Sequence, residues 1–109
     1  METQPQTLKE LRASLKEIDT MRSVKDLSDA ECKALEMTAV ALRDAERVAI
    51  AVMQKQVIKD MEEQTASLNA QARAIRARVS RMNKMPKVLD NIETVIKTAV
   101  KLVVAIAKW

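Results

Sequence analysis

At 109 residues the chain is one domain, and with 48% apolar and 31% charged residues it has the material for a core, which excludes wholesale disorder. It contains no Gly, His, Phe or Tyr. Phosphate-cradling loops, dinucleotide fingerprints and nucleophile elbows all need Gly, and His is the commonest general base and metal ligand, so those chemistries drop out. The core must come from Ala, Val, Leu, Ile and Met. Such small or flexible side chains suit close helix packing but give little bulk per residue, and a short chain of this kind often gains further burial by oligomerising.

The opening stretch METQPQTLKE lacks the charged-then-apolar pattern of a secretion signal. The default compartment is therefore a reducing cytoplasm, with signal-less secretion as the alternative. Thr7-Leu8-Lys9-Glu10 matches a capping box, and Leu8, Leu11, Leu15 and Ile18 follow in 3-4-3 steps. This predicts a first amphipathic helix over about 8–23.

Ser28-Asp29-Ala30-Glu31 is a second capping box. After it no Gly or Pro interrupts the chain before Asn83-Lys84-Met85-Pro86. The spacing predicts one long helix over about 28–84, roughly 80 Å at 1.5 Å per residue. Cys32 lies near its start. As the single cysteine it forms neither an intrachain disulfide nor a thiolate metal cluster, and free Cys is so often buried that a small core residue is expected rather than a reactive thiol.

The apolar stripe changes phase inside this segment. One heptad series runs through Leu35, Thr38, Leu42, Ala45, Ala49 and Val52, and a second through Ile58, Met61, Thr65, Leu68, Ala72, Ile75, Val79 and Met82. At about 100° per residue the two stripes point roughly 150° apart. Either the helix breaks near 53–57, giving four helices, or one long helix serves different neighbours with its two halves. With no Gly or Pro at the junction the long helix is favoured. The fold class expected is thus all-α: a bundle of three helices with a long central helix and coiled-coil-like packing, completed by dimerisation because each half would be only a helix pair.

Pro86 fits the first turn of a third helix over about 86–109, and Asp90 and Glu93 near its start with Lys97, Lys101 and Lys108 later complement its dipole. Two seams overlap in it, one through Leu89, Ile92, Ile96, Ala99, Val103 and Ile106, the other through Val88, Ile92, Val95, Ala99, Leu102, Ile106 and Trp109. A face this wide contacts two or more neighbours. Its longest run without a polar residue is Leu102–Ala107, far below the ~20 residues that span a bilayer.

Charge is unevenly placed. Residues 1–63 carry ten basic and thirteen acidic side chains, residues 64–109 nine basic and two acidic. Between Glu63 and Asp90 there is no acid, but there are Arg73, Arg76, Arg78, Arg81, Lys84 and Lys87. This basic patch reads first as a solvated helix face with its cations gathered near the C-terminal end, and second as a surface for an acidic protein; nucleic acid is disfavoured by the lack of stacking aromatics. The carboxylates, among them Glu31, Glu36, Glu46, Glu62 and Glu63, lack the Glu-x-x-His pairs of a diiron bundle and fall mostly beside Lys or Arg, as Glu46 does near Arg43. No catalytic, cofactor-binding or metal residue is assigned, and no small-molecule substrate.

The function expected is that of a non-enzymatic interaction or assembly protein, self-associating or bound to a helical partner, through Leu89, Ile92, Ile96, Val100, Val103, Ile106 and Trp109. The alternatives are a membrane-active, pore-forming or translocator-like protein using its C-terminal helix at the membrane surface, and a nucleic-acid-binding accessory protein using the basic patch.

Overall fold

A computed structural model of the chain describes residues 3–55, 61–82 and 84–109. They form four helices: α1 (Gln4–Arg22), α2 (Asp29–Met53), α3 (Met61–Met82) and α4 (Ile92–Ala107). The all-helical bundle agrees with the sequence. The three-helix layout does not.

The favoured long central helix is replaced by α2 and α3. Helix α2 ends at Met53 with Gln54 as its cap, and Lys55 takes a left-handed φ of 55°. That conformation ends a helix as Gly usually does, but on a residue with a Cβ. The two phased stripes then both face inward. Leu35, Thr38, Leu42, Ala45 and Ala49 are buried on α2, and Leu68, Ala72, Ile75, Val79 and Met82 on α3. Reversal of the chain between them reconciles the offset. Residues 56–60 lie outside the described residues, and with them Ile58 of the second stripe and part of the proposed break. Because Lys55 carries left-handed strain that Gly avoids, Lys55→Gly should stabilise the chain by about 0.5–1 kcal/mol. Urea denaturation measures this; a loss of the same size would show that the strain is not there.

Two other helix starts differ from the expected ones. Helix α1 begins at Gln4, with Thr3 as N-cap accepting from the Gln6 amide at 3.2 Å and Pro5 in the first turn. Proline is pre-set for that position and has no amide to satisfy. Thr7 is therefore inside the helix, where its hydroxyl donates to the Thr3 carbonyl at 3.1 Å, and the Thr7–Glu10 capping box does not form the start. Helix α4 begins at Ile92 rather than at Pro86. The reason lies on α2: the amides of Val88 and Leu89 donate to the Glu31 carboxylate. The capping box at Ser28 forms as the sequence implies, with Glu31 N donating to Ser28 Oγ at 3.2 Å and Ser28 N donating to Glu31 Oε1 at 3.1 Å.

Helix α2 packs against the other three helices, and so does α4; α1 and α3 lie on opposite sides of this pair and do not meet. Successive helices are antiparallel. Arg12 reaches Glu46 at 3.0 Å and Asp19 accepts from Arg43 at 3.4 Å between α1 and α2, and Gln71 reaches Asp44 at 3.2 Å between α3 and α2. Glu46 thus pairs across the bundle rather than with Arg43. The starts of α2 and α4 lie at one end, so the central pair runs parallel.

Composition follows position. Helix α2, with three neighbours, buries Ala34, Ala39, Ala41, Ala45, Ala49 and Ala51, whose small side chains let several helices approach. Helix α4 fills the space with Ile and Val. The flanking helices bury narrower stripes, that of α3 in 4-3-4-3 steps like a coiled-coil seam. Among the described residues no helix is long and apolar enough to cross a membrane.

Candidate functional site

The residues expected to bind a partner are mostly inside the chain. Ile92, Ile96, Val100, Val103 and Ile106 are buried against the chain's own helices, while Leu89 and Trp109 are half-buried at the edge of the core. The broad face of α4 is covered by α1, α2 and α3 together. What α4 leaves outside is its polar strip, on which Thr94, Lys97, Thr98 and Lys101 are exposed.

The basic patch divides into separate environments. Arg73, Arg76, Arg81 and Lys84 are exposed. Arg78 is half-buried beside Ser28, Asp29, Met85 and Pro86 at the end of the bundle. Lys87 folds back to form an ion pair with Glu93. The six residues are therefore not one continuous track.

One of them joins a site the sequence did not reveal. Between α3 and α4 runs a groove of about 410 Å³. Ile75 and Val79 from α3 and Ile96 and Val100 from α4 form its floor; Arg76, Ser80, Lys97 and Lys101 form its rim. The three cations line one cavity that no acid lines. The carboxylate one turn before Lys97, Glu93, is engaged by Lys87. Four surface arginines elsewhere are paired: Arg12 with Glu46, Arg22 and Arg43 with Asp19, and Arg47 with Asp44. Lys97 and Lys101 also stand one turn apart on α4, a like-charge spacing that costs an isolated helix a few tenths of a kcal/mol. Their i, i+4 spacing was legible in the sequence. That Arg76 faces them was not, since it depends on which helices become neighbours.

A second polar centre is structural in character. Glu31, fully buried, was grouped with the solvated acids by its sequence neighbours. It instead collects the Ser28 amide and hydroxyl, the Val88 amide and the Leu89 amide, at 3.0–3.1 Å. Burial alone raises a carboxyl's pKa, but here the amides of Leu89, Val88 and Ser28 and the Ser28 hydroxyl outweigh it and hold the group below its ordinary value. The carboxylate sits at the N-terminal end of α2, where the dipole also favours negative charge. It ties the α3–α4 connection to the start of α2.

Cys32 is exposed rather than buried. It is three residues before the inward-facing Leu35 but on the solvent side of the first turn, beside Arg22, Leu27 and Glu36. Among the described residues the exposed large apolar side chains are Val24, Val40, Met85 and Val88. Among the described residues no three His, Cys, Asp or Glu side chains gather as a metal site would require. Compared with protein-family models, with characterised proteins and with solved structures, the chain matches none of them.

Proposed function

We propose that the chain is a non-enzymatic interaction or assembly protein that works by helix-on-helix packing, with the α3–α4 groove as its docking face. The observation that supports this best is the rim of Arg76, Lys97 and Lys101 around an apolar floor, with no acid among the described residues lining the groove beside them. Like charges gathered in this way lower stability slightly and gain by the approach of an opposite charge. A helix-in-groove contact uses such a site directly: apolar side chains enter the floor and charges set orientation.

The apolar residues of α4 act in this reading as the rigid support of the groove. A second copy is not needed to cover them, so a homo-oligomer would form on the outside of the bundle. A single exposed cysteine suits a reducing compartment such as the cytoplasm.

The test is cross-linking in the protein's own cells, with a photo-reactive amino acid in place of Ser80, an exposed rim position. Discrete protein adducts are expected, to a partner or to a second copy. They should disappear when Arg76, Lys97 and Lys101 are all changed to Glu. Adducts that survive the charge reversal, or none with protein at all, would rule out this docking face.

A further inference from the structure

We infer that the occupant of the α3–α4 groove is an acidic amphipathic helix with a narrow apolar row, an inference that rests on the interaction reading above. Three features of the groove carry it: its direction, its rim and its floor.

Two antiparallel helices leave a groove that runs along both of them, and a third helix is the shape that fills it. The rim repeats at helical intervals. Lys97 and Lys101 are one turn apart on α4, and Arg76 and Ser80 are one turn apart on α3. A helix lying between them meets cations on both flanks. Carboxylates three or four residues apart on each side of its inward row would face these cations in turn. The fit is one of charge complementarity along two edges rather than at a point.

The floor limits the apolar part. Ile75, Val79, Ile96 and Val100 are each no more than 3% exposed, so little of their surface is left to cover. A broad Leu- or Phe-rich face would gain little here, whereas one row of Ala, Val or Leu between acids would fill about 410 Å³ and exclude water from the ion pairs. Exclusion of water is what makes rim charges count, since fully solvated pairs contribute little. Other anionic surfaces match less of this. No aromatic side chain lines the groove to stack on a base, and the outward cations Arg78 and Lys87 that would extend a phosphate track are turned elsewhere. A bilayer needs an exposed apolar face, and the floor is recessed and narrow.

The experiment uses the full chain and a labelled synthetic peptide of about 20 residues, long enough to hold a helix on binding. Its inward row is Ala and Leu, flanked on both sides by Glu. A second peptide has Gln in place of every Glu. Fluorescence anisotropy should show saturable binding of the acidic peptide, weakening about tenfold or more between roughly 50 and 300 mM salt, and little binding of the Gln peptide. Lys97→Glu with Lys101→Glu should weaken binding at least about tenfold while circular dichroism shows unchanged helix content, and Lys97→Gln with Lys101→Gln should fall between. Absence of saturable binding, equal binding of the Gln peptide, or indifference to both double variants would overturn the inference. So would binding to phosphatidylglycerol vesicles or duplex DNA that depends on the same lysines while the acidic peptide is ignored. If Ser80 cross-links to protein but the acidic peptide does not bind, the partner's chemistry is wrong and the docking face survives; if both fail, both are wrong.

Discussion

Replacing Glu31 with Ala should lower stability by about 3 kcal/mol, and with Gln by about 2 kcal/mol. For a domain of this size that is a fall in Tm of roughly 8–15 °C. The carboxylate accepts from four donors, two on Ser28 and one each on Val88 and Leu89, which lie 57 and 58 residues beyond Glu31 in the chain. Removing it leaves the Val88 and Leu89 amides without their acceptor and releases the α3–α4 connection. Gln keeps the shape and one oxygen, but sets an amide NH₂ against backbone donors. Ser28→Ala provides the comparison. It removes a cap hydroxyl while Glu31 still holds Val88 and Leu89, and should cost only about 1 kcal/mol. If the Glu31 and Ser28 variants were equally destabilised, Glu31 would be an ordinary capping residue.

The same site predicts an acid limb. The folded-state pKa of Glu31 is depressed, because the amides outweigh burial. A depressed carboxyl contributes stability that is fully present above its unfolded value, about 4.3, and is lost as pH falls through the lower folded value. The Tm difference between the wild type and the Gln variant should therefore hold steady from pH 7 to about 5 and shrink below about pH 4. A difference that stayed constant down to about pH 3 would show that the charge of Glu31 contributes nothing.

The sequence made the helices legible through periodicity, and the buried residues of both heptad stripes face the core from Leu35 to Ala49 and from Leu68 to Met82. What it concealed was the turn between them. With no Gly in the chain, the left-handed positions among the described residues fall to Asp26 and Lys55, and Lys carries no local signal for that conformation. The phase change at Val52 was the surviving sign of reversal, and the lack of a breaker argued against it. The rest followed from that choice. A continuous helix leaves two half-bundles that need a second chain; a reversed one lets α2 and α4 pack side by side and close the core alone. Glu31 was half legible. Its capping box is four residues long and plain in the sequence, while its bonds to Val88 and Leu89 come from tertiary contact. The groove was least legible, because Arg76 and Lys97 become neighbours only once α3 lies against α4.

Changing Ile96 to Asp should unfold the chain. Ile96 is 0% exposed, on one of the two helices that contact all the others. The substitution removes a buried aliphatic side chain, at a cost of about 2–5 kcal/mol, and buries a carboxyl among aliphatic neighbours of the core. That carboxyl either loses its hydration while ionised or takes up a proton, and either course costs several kcal/mol more. The sum meets or exceeds the whole stability of a typical domain, about 5–15 kcal/mol. Far-UV circular dichroism should show most of the helix lost at 25 °C. Lys97→Gln, one residue further on and exposed, should shift stability by no more than about 0.5 kcal/mol. The contrast separates two roles for α4. If its apolar stripe served contact with another chain, Ile96→Asp would leave a folded monomer with its helix content intact and its association abolished. If the stripe is this chain's own core, the variant loses its fold whether or not a partner is present, and the wild-type Tm does not depend on protein concentration. A helical, cooperatively melting Ile96→Asp monomer would transfer α4 from the core to an interface and reopen the search for what covers it.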